Sequence, residues 1–245
     1  SGYLVIFSEL LKFEQTGLAF DVFVHFGTLM SILVFFRKDI AAMLAAPFQV
    51  WLQKKDDARM RHYLNWDLYI VAATIPAVIV GLFFKDAIEH LFTSTLIVFF
   101  MLLITGSLMY AAQNLKFRHK DFNCGNSFII GIAQAVAIIP GISRSGSTIF
   151  TGMALGMERE SVARFSFLMS VPAILGAVVL QLKDLLQSPP TSAEMLDLVV
   201  GALVAFLSGY VAIIWLLDMV KKGKLRWFGY YCFSLALTGL IWYWM

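Results

Sequence analysis

A chain that carries six apolar runs has few ways to fold, and these are Phe20–Phe36, Asp67–Phe84, Thr95–Gln113, Val162–Leu182, Leu196–Leu217 and Phe228–Met245. Each approaches the ~20 residues that an α-helix needs to cross a hydrocarbon core of about 30 Å. At that depth backbone polar groups have to be bonded within the segment, so continuous apolar runs of this length read as helices. Composition agrees, with 60% of residues hydrophobic and 14% charged. The sequence predicts an all-α integral membrane protein of about six transmembrane helices, and nucleic acid is not an expected partner. Cys124 and Cys232 stand far apart with no CxxC or zinc spacing, so no disulfide or metal site is read from them.

Between the third and fourth runs lies a segment of another kind, Ile138-Ile-Pro-Gly-Ile-Ser-Arg-Ser-Gly-Ser-Thr148. Pro140 lacks an N–H and disfavours helix at Ile139, while Gly141 and Gly146 tolerate positive φ, so the backbone is expected to break here. Ser143, Ser145, Ser147 and Thr148 supply hydroxyls, and Arg144 supplies a guanidinium. A helix restarting near Ser145 would aim its free N–H groups and positive dipole end at the same place. Together these groups describe an oxyanion cradle, and phosphate is the anion that commonly fills one. The plainer reading is a solvated loop that ends one helix and caps the next. Flanking runs this apolar leave such a loop little water, and an arginine at membrane depth marks function. The segment is not a phosphate-binding P-loop, since no Gly-Lys-Ser/Thr follows, nor a Gly-x-Ser-x-Gly elbow.

Charge fixes the layout. Ser127–Pro140 is too short to cross upright, so it is read as a half-helix that enters the membrane, with Ile149–Met157 returning. If this hairpin leaves by the side it entered, the loops at 37–66, 114–126, 157–161 and 218–227 share one side. Those loops hold nearly all the Lys and Arg outside the apolar runs. The positive-inside rule then puts them in the cytoplasm and both termini outside it. Two three-helix units of opposite orientation follow, an inverted repeat of about 1–122 and 123–245 within one membrane domain. A faint echo at an offset of 144 places Ser1-Gly2 on Ser145-Gly146, which makes Ser1 and Gly2 candidate members of the phosphate cradle. Asp21 and His25 share one face of the first run, and Gln134 precedes the break. Each either bonds a neighbouring helix or faces the reaction site.

Pro140-Gly-Ile-Ser-Arg-Ser-Gly-Ser-Thr148 with Ala163-Arg-Phe-Ser-Phe-Leu-Met-Ser-Val-Pro-Ala173 resembles the bacterial undecaprenyl-pyrophosphate phosphatases of the bacitracin-resistance type. Phe20-Asp-Val-Phe-Val-His-Phe-Gly-Thr28 and Thr74-Ile-Pro-Ala-Val-Ile-Val-Gly81 are similar to that family's intervening segments. The resemblance implies six spans, two re-entrant helix pairs and inverted topology. It also implies hydrolysis of a C55 polyprenyl pyrophosphate to the monophosphate, recycling the lipid carrier for peptidoglycan synthesis. On it, Arg144 would bind the pyrophosphate with Ser143 and Ser145 beside it as the catalytic group, and a divalent cation, Mg²⁺ or Ca²⁺, would sit on glutamates. Those glutamates would lie before Ser1, which leaves no metal ligand to name on this chain. Tyr3 stands where the family usually has histidine, and a phenol with a pKa of about 10 shuttles protons poorly near neutrality. A polyprenyl-phosphate flippase or an anion transporter would use the same re-entrant arginine. A second copy of the chain is a candidate partner.

Overall fold

The computed structural model describes residues 18–52, 57–84, 88, 91, 94–115, 117–187 and 192–244. Ser1, Gly2 and Tyr3 lie outside the described residues. Among the described residues every regular element is helical. In order they are α1 (Leu18–Phe35), α2 (Arg37–Pro47), a π-helical turn (Phe48–Leu52), α3 (Ala58–Phe83) and α4 (Thr95–Ala112). Then come α5 (Cys124–Val136), α6 (Arg144–Ala154), α7 (Arg159–Gln187), α8 (Ser192–Lys221) and α9 (Leu225–Trp244).

Each expected apolar run falls on one helix. Among the described residues, α3, α4, Arg159–Val179 of α7 and Glu194–Lys221 of α8 are long and apolar enough to cross a membrane. The pair α1 and α2, bent by 79° at the Phe36 break, makes a fifth if counted as one span. The last helix, α9, has the length, but its Trp and Tyr side chains lower its hydropathy; such amphipathic rings favour headgroup depth. Several helices outrun the apolar stretch that predicts them: α8, at 30 residues, is about 45 Å long. The segment after Arg37, expected as a loop, begins as a helix because Ala-Ala-Met-Leu-Ala-Ala is strongly helix-forming.

The helices gather into two compact units, each taking in segments from both expected repeats. One consists of Gln15–Val71 and Phe167–Leu216. In it α1 and α8 meet backbone to backbone, since a methyl on Gly27 would run into the Ala202 carbonyl. Phe35 and Tyr210 stack edge to face across the same crossing, ring centroids 5.6 Å apart. Lipid tails are as apolar as leucine, so close packing of small residues, rather than apolar burial, draws such helices together.

The other unit holds Ala72–Ser166 and Leu217–Met245. Here α4 and α9 share a core of Val98, Phe99, Leu102, Cys232 and Ala236, with Gly106 and Gly229 letting the backbones approach. On α5, Gly131 is pressed against the Ala73 carbonyl of α3. Arg159 donates from Nη2 to the carbonyls of Gln113 and Leu115, at 3.5 and 3.4 Å, tying the start of α7 to the chain leaving α4.

Candidate active site

The expected hairpin is present, as α5 and α6 packed side by side and joined by residues 137–143. Asn123 caps α5, its side-chain oxygen accepting from the Asn126 N–H at 2.8 Å. The helix ends at Val136, four residues before Pro140, and the chain then turns through Gly141 at φ +93°. No other residue type suits that turn, because a Cβ at Gly141 would lie 2.5 Å from the Val98 carbonyl oxygen. The returning helix starts at Arg144, one residue before the restart expected near Ser145 and five before the expected Ile149–Met157 segment, with Ser143 as its N-cap; it ends at Ala154. Ser143 Oγ accepts from the Gly146 N–H at 3.2 Å. Far from the break, Gly156 at φ +94° ends α6, with Met157 N donating to the Gly152 carbonyl at 3.1 Å and Gly156 N to that of Met153 at 2.9 Å.

One hydroxyl from another helix clasps the turn. Thr105 Oγ1, on α4, donates to the Gly141 carbonyl and accepts from the Ser143 N–H, both at 3.0 Å. Thr105 is 2% exposed. Sequence reasoning missed it, since a threonine in an apolar helix ordinarily bonds its own preceding turn. Ser166 was likewise missed as a partner: its Oγ lies 2.6 Å from Thr148 Oγ1.

The predicted cradle residues divide by what they touch. Thr148 Oγ1 also reaches the Arg144 and Ser145 carbonyls, at 2.9 and 3.1 Å, so its one proton is spoken for within the protein. Ser147 is buried, and Gly146 lies over Met109 and the Ser143 cap. Ser143 Oγ, having accepted once, keeps its proton to donate. Ser145 Oγ, the N–H groups of Arg144 and Ser145, and the half-buried Arg144 guanidinium meet no partner among the described residues. These groups converge on the first turn of α6.

That convergence is electrostatically lopsided. The N-terminus of a helix carries about half a positive charge, and an arginine there adds a like charge. Arg144 has no carboxylate beside it among the described residues. An uncompensated, partly desolvated cation on a positive helix end is unfavourable until an anion arrives, and a guanidinium fork suits two oxygens of one phosphate.

The remaining predicted residues are placed as follows. Gln134, in the last turn of α5, is buried and its amide has no partner among the described residues. Asp21 and His25 lie on α1 in the other unit, where His25 Nδ1 donates to the Asp21 carbonyl at 2.7 Å rather than to a neighbouring helix. Among the described residues no three His, Cys, Asp or Glu side chains gather as a metal site would need. The described residues therefore do not themselves form a cradle for a divalent cation.

Residues 1–238 match the family model of the bacitracin resistance protein BacA. The chain is 39% identical over 244 residues to an undecaprenyl-diphosphatase of Halothermothrix orenii, covering 98% of this chain and 89% of that one. It is 40% identical over 246 residues to one from Parabacteroides distasonis, covering 98% and 88%, and 37% identical over 246 residues to one from Carboxydothermus hydrogenoformans, again covering 98% and 88%.

Proposed function

The chain belongs to the bacitracin resistance protein BacA family, and on that footing we propose that it is a membrane-embedded phosphatase converting undecaprenyl pyrophosphate to the monophosphate and inorganic phosphate. The observation that carries the reading is the likeness to undecaprenyl-diphosphatases across nearly the whole chain, joined to a helix start that presents an arginine unpaired among the described residues. Water attacks the terminal phosphorus, the bridging P–O bond breaks, and the lipid monophosphate leaves. Phosphoryl transfer of this kind asks mainly for positioning and for charge at the equatorial oxygens. Arg144 takes two phosphate oxygens in parallel. The free N–H groups of α6 and the hydroxyls of Ser143 and Ser145 take the others, with Gly141 and Gly146 keeping side chains out of the way. A divalent cation, Mg²⁺ or Ca²⁺, belongs to this reading through the family alone, since the described residues gather no ligands for one. The chemistry regenerates the lipid carrier for cell-wall synthesis.

The purified full-length protein should release inorganic phosphate from C55 or C15 polyprenyl pyrophosphate, with the lipid monophosphate as the second product. A well-folded preparation that translocates the lipid between leaflets without releasing phosphate would replace the phosphatase by a flippase.

The charge distribution orients the protein in the inner membrane with both termini outside the cytoplasm. In intact cells an impermeant thiol reagent should label Ser188→Cys and leave Gln53→Cys untouched. The reverse pattern would invert the topology.

A further inference from the structure

Gln134 has no explanation in the packing. It is 2% exposed, yet both polar atoms of its amide lack a hydrogen-bond partner among the described residues. Each buried polar group left unbonded is unfavourable by an amount a fold does not leave standing without cause. A leucine or methionine would fill the same volume with no polar atom to satisfy. Among the described residues it does not make the helix-joining hydrogen bond that usually explains such a glutamine. Gln134 shares the buried stripe of α5 with Ser127, Ile130, Gly131 and Ala135, and the Ser127 hydroxyl is likewise unpartnered among the described residues. Gly131, between them, is already filled by the α3 backbone.

Position supplies the cause. α5 and α6 are packed neighbours joined by residues 137–143, so the last turn of α5 and the first turn of α6 flank one turn. Arg144 brings donors only. A primary amide presents a donor and an acceptor in one plane, which an arginine cannot. Reactions that pass a phosphoryl group to water recurrently use a glutamine to orient that water.

Resting on the phosphatase reading above, we propose that Gln134 is a substrate-contacting residue of the pyrophosphate site, its Nε2 donating to a phosphate oxygen and its Oε1 accepting from the attacking water. The water oxygen bonds to the terminal phosphorus as the bridging P–O bond breaks, and the water's protons leave with the phosphate products. The glutamine itself neither gains nor loses a proton.

Full-length Gln134→Leu and Gln134→Glu test this, with two readouts on each preparation. One is phosphate release from farnesyl pyrophosphate; the other is the rise in melting temperature caused by inorganic pyrophosphate. Gln134→Leu should melt no lower than wild type, since it relieves an unsatisfied amide. Its kcat should fall tenfold to a hundredfold with KM changed less, and it should lose part of the pyrophosphate-induced rise. Gln134→Glu should raise KM, because a carboxylate would face the phosphates. A Gln134→Leu protein that melts lower, turns over normally and responds fully to pyrophosphate would assign the glutamine to packing and overturn the proposal alone. A wild type that neither releases phosphate nor responds to pyrophosphate would overturn the phosphatase reading and this proposal together.

Discussion

Arg144→Ala should abolish measurable phosphate release while leaving the protein as stable as wild type, or slightly more so. The guanidinium is unpartnered among the described residues and sits on the positive end of α6, so its removal relieves a repulsion rather than a bond. On the proposed reading the same charge would face the oxygens on which negative charge develops. Removing one donor of that kind costs about 3 kcal/mol, on the order of a hundredfold in turnover. Arg144→Lys keeps the charge and loses the fork, so it should already show a loss of that size, with alanine worse. Ser143→Ala should behave differently, giving up the cap on Gly146 N–H and about 1 kcal/mol of stability. If the hairpin were only a capped turn, all of these variants would melt lower and keep near-normal activity per folded molecule. Melting temperature and specific activity on the same full-length preparations decide between the two. A folded Arg144→Ala that releases phosphate at the wild-type rate would end the claim on this arginine.

The second large effect belongs to a residue that never touches phosphate. Thr105→Val is nearly isosteric, yet it leaves the Gly141 carbonyl and the Ser143 N–H without their partner in a buried place. Each orphaned group costs about 1–3 kcal/mol, so the melting temperature should fall by several degrees. Activity should fall at least tenfold as well, because the turn that sets the start of α6 loses its anchor. Thr105→Ser keeps the hydroxyl and should restore most of both. Gly141→Ala attacks the same turn from the opposite side, forcing a Cβ into positive φ and onto the Val98 carbonyl. It should match Thr105→Val or exceed it. Wild-type stability and turnover in Thr105→Val would show that the turn holds its shape without the clasp.

These two variants also mark how far the sequence could be read. Pro140, Gly141 and the run of small polar residues announce a break, a cation and a helix start, because each acts through its own backbone or its neighbours'. The break follows, and the helix restarts one residue before Ser145, although the first helix stops four residues short of Pro140 and the returning one begins five residues before Ile149. Thr105 is illegible because its partners lie 36 and 38 residues away, and nothing in an apolar helix distinguishes it from Thr28, which bonds the carbonyl four residues before it. Thr148 shows the converse: the motif offers it to the anion, while the fold gives its hydroxyl to Ser166 and its own helix. The helix at Arg37–Pro47 was hidden by its charges, which announce an aqueous boundary but say nothing about secondary structure.

Glycine contacts along three helix pairs bear on where the long isoprenoid tail can travel. A methyl on Gly27 would collide with the Ala202 carbonyl, and one on Gly131 with that of Ala73. At Gly229 the Gly106 carbonyl oxygen would be 2.9 Å away. Where a single methyl has no room, an isoprene unit with its branch has none either. The seams α1–α8, α3–α5 and α4–α9 are therefore closed to lipid at these points. On the proposed reading, a C55 chain with its headgroup at Arg144 would run over helix faces rather than through these points, so bulky substitutions on those outer faces, not at the glycines, would tune the length of tail accepted.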